Sequence, residues 1–235
     1  MVKSYRGHRA LEAVSFTIHA GESVALIGPN GAGKTSLLKV VLDFSRADSG
    51  SAVLFGVDSR SPDARRSLAF LPERFSPNPE MTGAEVLTLL GRLRGQRYDA
   101  SARSAVLDRL AFPFEAIDRA VRGYSKGMLQ KLGLAAVVLA DAPLTVLDEP
   151  MSGLDPVARI TMRDVLRDLR RQGRTLLFTT HSLHDVDLVC DRVLLLNRGR
   201  LVFDGSPQAM CERFGHHDLE AAFMASLHAA EGEPA

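Results

Sequence analysis

The sequence predicts an α/β fold with a mainly parallel sheet, an N-terminal antiparallel β portion and an inserted α-helical lobe. Short apolar runs at residues 23–27, 144–147 and 175–179 alternate with stretches of helical periodicity, as is typical of a parallel sheet covered on both faces. Residues 11–22 alternate apolar and polar side chains and then reach Ala20-Gly21, which indicates a strand followed by a turn. Between 82 and about 140 the periodicity is helical throughout, which indicates helices inserted between two strands.

These patterns predict one domain made of two lobes and a tail. The core lobe covers about 1–72 and 142–213, and the helical lobe covers about 73–141. A C-terminal helical tail covers about 214–235, and its last residues, 231–235, are expected to fray.

Composition narrows the classes of partner. The chain has 235 residues, a formal net charge of +1 and no dense block of Lys and Arg, so nucleic acid is not an expected partner. Cys190 and Cys211 are far apart and form no CxxC motif, which predicts neither a disulfide scaffold nor a zinc site. The longest apolar run, residues 132–140, is too short for a membrane span, which needs about 20 residues. Any link to a membrane is therefore expected to pass through a partner.

Turn residues and helix caps predict where strands and helices begin between residues 51 and 125. Strands are expected at 51–55 and 67–71, and a group of prolines then interrupts the chain. Residues 82–85 form a capping box that opens the first helix of the helical lobe. A second amphipathic helix is predicted at 102–110, and a third begins at Ser125.

In the second half, strands and helices alternate again. Asp155 followed by proline predicts the start of a helix that runs to Gln172. Ser182 is expected to cap the next helix. Apolar runs at 192–196 and 200–203 flank an Asn-Arg-Gly turn, which predicts a β-hairpin.

Residues 28–35 read Gly-Pro-Asn-Gly-Ala-Gly-Lys-Thr, between an apolar run and a helical stretch. Glycines let successive backbone N–H groups surround an anion, and the positive end of the following helix points at the same place. Lys34 adds a cation for the phosphates and Thr35 a hydroxyl ligand for Mg²⁺. We therefore predict a P-loop NTPase core. Its candidate nucleotide-binding residues are Asn30, Gly31, Ala32, Gly33, Lys34, Thr35 and Ser36.

Further motifs follow the phosphate loop in a fixed order. Residues 124–128 read Tyr-Ser-Lys-Gly-Met, and residues 145–150 read Thr-Val-Leu-Asp-Glu-Pro. Ser-Gly-Leu-Asp follows at 152–155, and Thr-Thr-His-Ser at 179–182. Together, from Tyr5 to the hairpin, they resemble the ATP-binding subunit of an ABC transporter. Agreement of all these motifs in order is highly specific.

The resemblance implies ATP and Mg²⁺ as cofactors and assigns roles at the site. Asp148, at the end of a buried strand, is expected to hold the Mg²⁺ shell together with Thr35. Glu149 resembles the general base that orients and deprotonates the attacking water. His181 resembles the switch histidine that contacts the γ-phosphate, and Asp155 belongs to the D-loop.

The resemblance also implies a site shared between two subunits. The family's usual Leu-Ser-Gly-Gly-Gln signature is represented by Tyr-Ser-Lys-Gly-Met, in which Ser125, Lys126, Gly127 and Met128 are candidate contacts to the partner subunit's ATP. The serine and the second glycine are retained, and Lys126 adds a positive charge. A homodimer is expected, and a heterodimer remains open.

Two candidate residues have competing interpretations. Tyr5 lies where the family keeps an aromatic ring that stacks on adenine, and a surface tyrosine is the competing interpretation. The strand expected before it is short or truncated. Glu73 replaces the glutamine that follows Leu-Pro in most members. It is either a further ligand of Mg²⁺, which prefers anionic oxygen, or a loop acid facing solvent.

The variants Leu-Pro-Glu at 71–73 and Ser-Lys-Gly-Met at 125–128, and the tail at 218–223, resemble ABC-2 type exporters. ATPases of copper-linked nitrous oxide reductase maturation systems share these variants, and the cargo stays open. The resemblance implies a membrane permease as partner, contacted by the helical lobe with Arg74 and Phe75. It also implies a cytoplasmic location at the inner face of the cell membrane.

Three other classes of protein are alternatives to a transporter subunit. A ribosome-acting ABC protein would normally carry two cassettes, and a chromosome-maintenance ATPase would carry a long coiled coil; neither fits this sequence. A nucleotide-gated binding subunit with little turnover remains an alternative, which Glu149 argues against and an assay must decide.

Overall fold

The structure is a computed structural model that describes residues 1–231; the rest of the predicted frayed end, residues 232–235, lies outside the described residues. The strands are β1 Lys3–Tyr5, β2 His8–Leu11, β3 Ser23–Ile27, β4 Val53–Leu54, β5 Val57–Asp58, β6 Leu68–Leu71, β7 Leu144–Leu147, β8 Thr175–Thr179, β9 Arg192–Asn197 and β10 Arg200–Gly205. The helices are α1 Lys34–Val41, α2 Pro62–Arg66, α3 Gly83–Leu93, α4 Ala100–Arg109, α5 Lys126–Leu139, α6 Pro156–Arg171, α7 Leu183–Val189, α8 Pro207–Phe214 and α9 Leu219–Glu231.

The central sheet has the strand order β10-β9-β3-β8-β7-β6. Pairing is parallel from β9 to β6, and only the β9–β10 hairpin at one edge is antiparallel. The predicted α/β fold with a mainly parallel sheet is therefore confirmed.

Both faces of the sheet are buried, because alternate residues of each strand point to opposite sides. Along β3, Ala25 and Ile27 join a core cluster with α5, α6 and α7, whereas Val24 and Leu26 join a second cluster with α1. This two-sided burial explains why the strands of the sheet read as continuous apolar runs rather than alternating ones.

The N-terminal antiparallel portion is present but shorter than expected. β1 pairs with β2 and is a short strand that includes Tyr5. The strand predicted within 11–22 is wrong, since only Leu11 belongs to a strand, whereas the turn predicted at Ala20 and Gly21 is present. Val14 exchanges two backbone hydrogen bonds with Met1, but these bonds are isolated and form no continuous ladder within residues 1–231.

The strand predicted at 51–55 is reduced to Val53–Leu54, which pairs with β5. Phe55 has a left-handed backbone, with φ of 50°, which ends the extended segment.

The helical insertion runs from α3 to α5, between the neighbouring strands β6 and β7. Its capping box is confirmed: the Thr82 hydroxyl accepts from Glu85 N–H, and the Glu85 carboxylate accepts from Thr82 N–H. Phe75 is half-buried against the core and packs on Gly133, and its contact with a membrane subunit stays a prediction. Arg74 is exposed.

The C-terminal helices pack back onto the core. Leu219 and Ala222 of α9 are buried in the same cluster as Val186 and Val189 of α7. In residues 1–231, no helix is both long enough and apolar enough to cross a membrane.

Candidate active site

The phosphate loop follows β3, whose residues are all buried. Gly28 and Gly33 have positive φ angles of 149° and 107°. A Cβ atom on Gly28 would lie 2.1 Å from the Leu196 carbonyl oxygen, and one on Gly33 would lie 2.4 Å from the Ala10 carbonyl oxygen. Both positions therefore require glycine, because β9 and β2 approach the loop backbone too closely for any side chain.

The loop ends at the N-terminus of α1, whose first turn carries no acidic residue. Lys34 Nζ donates to the carbonyl oxygens of Gly28 at 2.6 Å and Pro29 at 3.2 Å. Burial lowers the pKa of the Lys34 ammonium below its usual value, and the negative charges of Glu149 and Asp148 oppose that shift. An unneutralised helix N-terminus beside a partly buried cation favours a bound anion.

Two carboxylates follow β7 and are held by a threonine of β8. Thr179 Oγ1 donates to Asp148 Oδ1 at 2.7 Å and accepts from Glu149 N–H at 2.8 Å. Asp148 N–H also donates to the Leu71 carbonyl oxygen at 2.8 Å. One fully buried hydroxyl thus fixes the side chain of the first acid and the backbone of the second.

Glu149 has a left-handed backbone, with φ of 47°. Its Oε2 lies 2.8 Å from His181 Nδ1, and the side chain is 16% exposed while that of His181 is 65% exposed. A non-glycine residue in this region is strained by about 1–3 kcal/mol and tends to occur at functional sites.

These groups line one cavity of about 680 Å³. It contains all the predicted nucleotide-binding residues together with the acids and the histidine; the lining residues are Tyr5, His8, Ala10, Asn30, Gly31, Ala32, Gly33, Lys34, Thr35, Ser36, Glu73, Asp148, Glu149, Ser152 and His181. A phosphate-binding loop, two carboxylates and a histidine around one space are suited to holding a nucleoside phosphate and a water beside it.

Tyr5 and Glu73 both lie in the wall of this cavity and are exposed. The Lys3 ammonium lies 4.9 Å from the centre of the Tyr5 ring, so one face of the ring is occupied. Stacking of adenine on the other face stays a prediction, as does a role of Glu73 in Mg²⁺ binding.

The signature residues lie elsewhere. Within residues 1–231, none of the residues 125–128 lines the cavity. Ser125 caps α5 by accepting from Met128 N–H at 3.2 Å, and the exposed Lys126 side chain lies across Gly153. Gly127 faces Leu154, since a Cβ on that glycine would lie 3.8 Å from Leu154 Cδ2.

Two further expectations concern helix caps. Asp155 caps α6, as predicted, by accepting from Ala158 N–H at 2.9 Å. Ser182 occupies the position before α7, but its side chain makes no capping hydrogen bond, so that part of the prediction is wrong.

The sequence analysis did not predict the role of Thr179, nor that His8, Ala10 and Ser152 line the cavity. The signal for Thr179 was a hydroxyl ending an otherwise apolar strand; nothing comparable marked His8.

Comparisons with known proteins agree with this geometry. A family model described as ABC transporter matches residues 11–152, more than half of the chain. The chain belongs to the ABC transporter family. A solved structure of an ATP-binding subunit of an ABC transporter superposes with a TM-score of 0.87 at 27% identity, covering 96% of each chain.

Relatives of this ABC cassette include proteins named for export or resistance. The Nod factor export ATP-binding protein I of Burkholderia lata is 37% identical over 214 residues, which cover 89% of this chain and 70% of that protein. The daunorubicin/doxorubicin resistance ATP-binding protein DrrA of Streptomyces peucetius is 33% identical over 237 residues, which cover 99% and 72%. The chain spans 56% to 72% of the length of such curated relatives.

The donor set fits a Mg²⁺ ion carried in with a nucleotide. Thr35 and Asp148 offer a hydroxyl and a carboxylate, and Asp148 Oδ1 is already tied to Thr179, which leaves Oδ2 for the metal. In residues 1–231 no group of three or more His, Cys, Asp or Glu side chains could hold a metal by itself. Mg²⁺ commonly takes one or two protein ligands and completes its shell with phosphate and water.

Lys34→Ala should abolish tight ATP binding, because the phosphates lose the cation that sits at the mouth of the loop. Lys39→Ala, on the same helix but exposed and outside the cavity, is the matched control and should bind as the parent does. Equilibrium dialysis with labelled ATP measures both. Unchanged affinity in Lys34→Ala would remove this residue from the site.

Thr179→Val should destabilise the fold by about 1–3 kcal/mol, because it leaves Asp148 Oδ1 and Glu149 N–H without their hydrogen-bond partner. Thr145→Val is the matched control on the adjacent strand β7. Thr145 is also fully buried, but its hydroxyl has no partner in residues 1–231, so its loss should cost nothing. Urea denaturation compares the two; equal midpoints would contradict the role given to Thr179.

Proposed function

We propose that this chain is the ATP-hydrolysing subunit of an ABC exporter, working with Mg²⁺ and driving a membrane permease. One observation supports ATP hydrolysis. A single cavity is lined by the phosphate loop, Asp148, Glu149 and His181, and Glu149 is hydrogen-bonded to His181. Such a site acts mainly by positioning and by stabilising charge on the transferred phosphoryl group.

The proposed mechanism assigns one task to each group. Lys34 exchanges its two loop carbonyls for the β- and γ-phosphates, while the N–H groups of the loop hold the phosphate oxygens. Bound Mg²⁺ would neutralise phosphate charge, with Thr35 and Asp148 as its protein ligands. Glu149 orients a water and takes its proton. His181 holds the Glu149 carboxylate through Nδ1 and is the proposed contact to the γ-phosphate.

A second copy of the chain completes the site. The residues 125–128 lie outside the cavity of their own chain, and the first turn of α5 has no acid to neutralise its positive end. Ser125 and Gly127 are therefore placed to meet an anion from another molecule. This arrangement supports a dimer with two shared sites. We propose a homodimer, and a heterodimer with a related chain stays open.

Export is the finer part of the proposal. It is supported by the relatives named for Nod factor export and for daunorubicin/doxorubicin resistance, and by the ABC-2-like variants at 71–73 and 125–128. A role in copper-linked nitrous oxide reductase maturation is one candidate, supported only by those shared variants. The chain would work at the cytoplasmic face of the membrane through its permease, which the exposed Arg74 and neighbouring helical insertion would contact.

Glu149→Gln should bind ATP normally and lose turnover by about 10²–10⁴-fold, because the amide keeps the shape but accepts no proton. The ATP-bound dimer should then accumulate with Mg-ATP, as seen by size-exclusion chromatography. Glu220→Gln, an exposed acid of α9, is the control. Hydrolysis at the parent rate would overturn the assignment, and a parent that binds ATP without turnover would indicate a nucleotide-gated binding subunit instead.

Ser125→Arg should leave ATP binding by the monomer intact and block ATP-dependent dimerisation, since the long cation fills the anion site offered to the partner. Ser206→Arg is the matched control, because Ser206 caps α8 in the same way by accepting from Ala209 N–H. Light scattering with Mg-ATP in the Glu149→Gln background reports the dimer. Normal dimerisation of the Ser125 variant would refute the shared site.

A further inference from the structure

Asp185 of α7 is a buried carboxylate that the mechanism has not used. Its residue is fully buried, and neither carboxylate oxygen has a hydrogen-bond partner in residues 1–231. Burying a charge is costly unless opposite charge lies nearby. A carboxylate kept in such a place points to a specific partner on the packing helix.

That partner is a pair of arginines from α6. Arg163 Nη1 lies 3.6 Å from Asp185 Oδ1, and Arg159 Nη1 lies 4.0 Å from Oδ2. The two guanidinium groups come from successive turns of one helix face. In residues 1–231 neither has another carboxylate partner or a hydrogen bond. These distances are too long for hydrogen bonds, so attraction of opposite charges holds the three side chains together.

The cluster joins α6 and α7, whose first residues follow the lining residues Ser152 and His181 in the chain. α6 starts at its cap Asp155 in the D-loop, and α7 starts two residues after His181. Because Ser182 makes no capping bond, the first turn of α7 lacks the usual side-chain anchor. Asp185 lies in that turn, and its N–H donates to the Ser182 carbonyl oxygen at 3.2 Å.

We propose that Asp185 is a positioning residue: through Arg159 and Arg163 it fixes the start of α7 on α6 and so holds His181 against Glu149. The proposal rests on the proposed roles of His181 and Glu149 in hydrolysis. Without the anchor, α7 keeps its apolar contacts through Leu183 and Val186, but its first turn is free to shift. A small misplacement of a group at the reacting centre can lower a rate by about 10²-fold.

Asp185→Asn tests this, since the amide keeps the volume and removes the charge that the arginines face. We expect kcat for ATP hydrolysis to fall about 10- to 100-fold while the Kd for ATP stays within about twofold of the parent. Asp187→Asn is the matched control, an exposed acid on the same helix, and should change neither. Thermal unfolding is followed for every variant, and kcat is measured well below each Tm.

A lowered Tm with parental kcat would mean that Asp185 serves stability alone and would overturn the proposal. So would a parallel loss of ATP affinity and kcat, because the phosphate loop lies between β3 and α1 and no residue of α7 lines the cavity. If Asp185→Asn does not fold, Arg163→Gln and Arg163→Lys replace it. The first should lower kcat in the same way and the second should retain most of it; equal rates would also overturn the proposal.

The parent and Glu149→Gln are assayed alongside. A parent without turnover would defeat the proposed hydrolytic function itself. An active parent, an inactive Glu149→Gln and a fully active Asp185→Asn would defeat only the inference about Asp185.

Discussion

The parallel register of three strands is the constraint on which the site depends. β3 pairs with β8 so that Leu26 lies opposite Thr179, and β7 pairs with β8 so that Leu147 lies opposite Phe178. The carboxyl ends of the strands therefore meet, and the phosphate loop, the acid pair and His181 all leave the sheet at one edge. A shift of one residue would exchange the side chains that a strand packs into the two core clusters, and the close packing of both clusters therefore favours this register.

At this edge of the sheet, the Thr179 hydroxyl and the strained residue Glu149 determine how the acidic groups are positioned. Thr179 orients Asp148 and holds the Glu149 backbone, whose left-handed conformation would otherwise relax. The strained backbone of Glu149 persists because the buried strands and the Thr179 hydroxyl hold it in this conformation. The hydrogen bond to His181 then orients the Glu149 carboxylate.

Features that depend on residues close together in the chain were predicted correctly from the sequence. The phosphate loop, the apolar strands and the helix caps at Thr82 and Asp155 depend on neighbours in the chain, and all are present. Tertiary partners decided the rest. Residues 11–22 have the pattern of a strand but form no continuous ladder within residues 1–231, and Ser182 has the position of a cap but its side chain makes no capping hydrogen bond. The roles of Thr179 and Asp185 could not be predicted, because their partners lie at least 22 residues away along the chain.

The two hydrogen bonds of Lys34 have a consequence for selectivity. Its ammonium donates to the Gly28 and Pro29 carbonyl oxygens, so the loop backbone competes with any anion for this cation. An anion that takes the place of these carbonyls must attract the ammonium more strongly than two neutral dipoles do. Coulomb attraction grows with the charge of the anion, so this competition favours a polyphosphate over a singly charged anion.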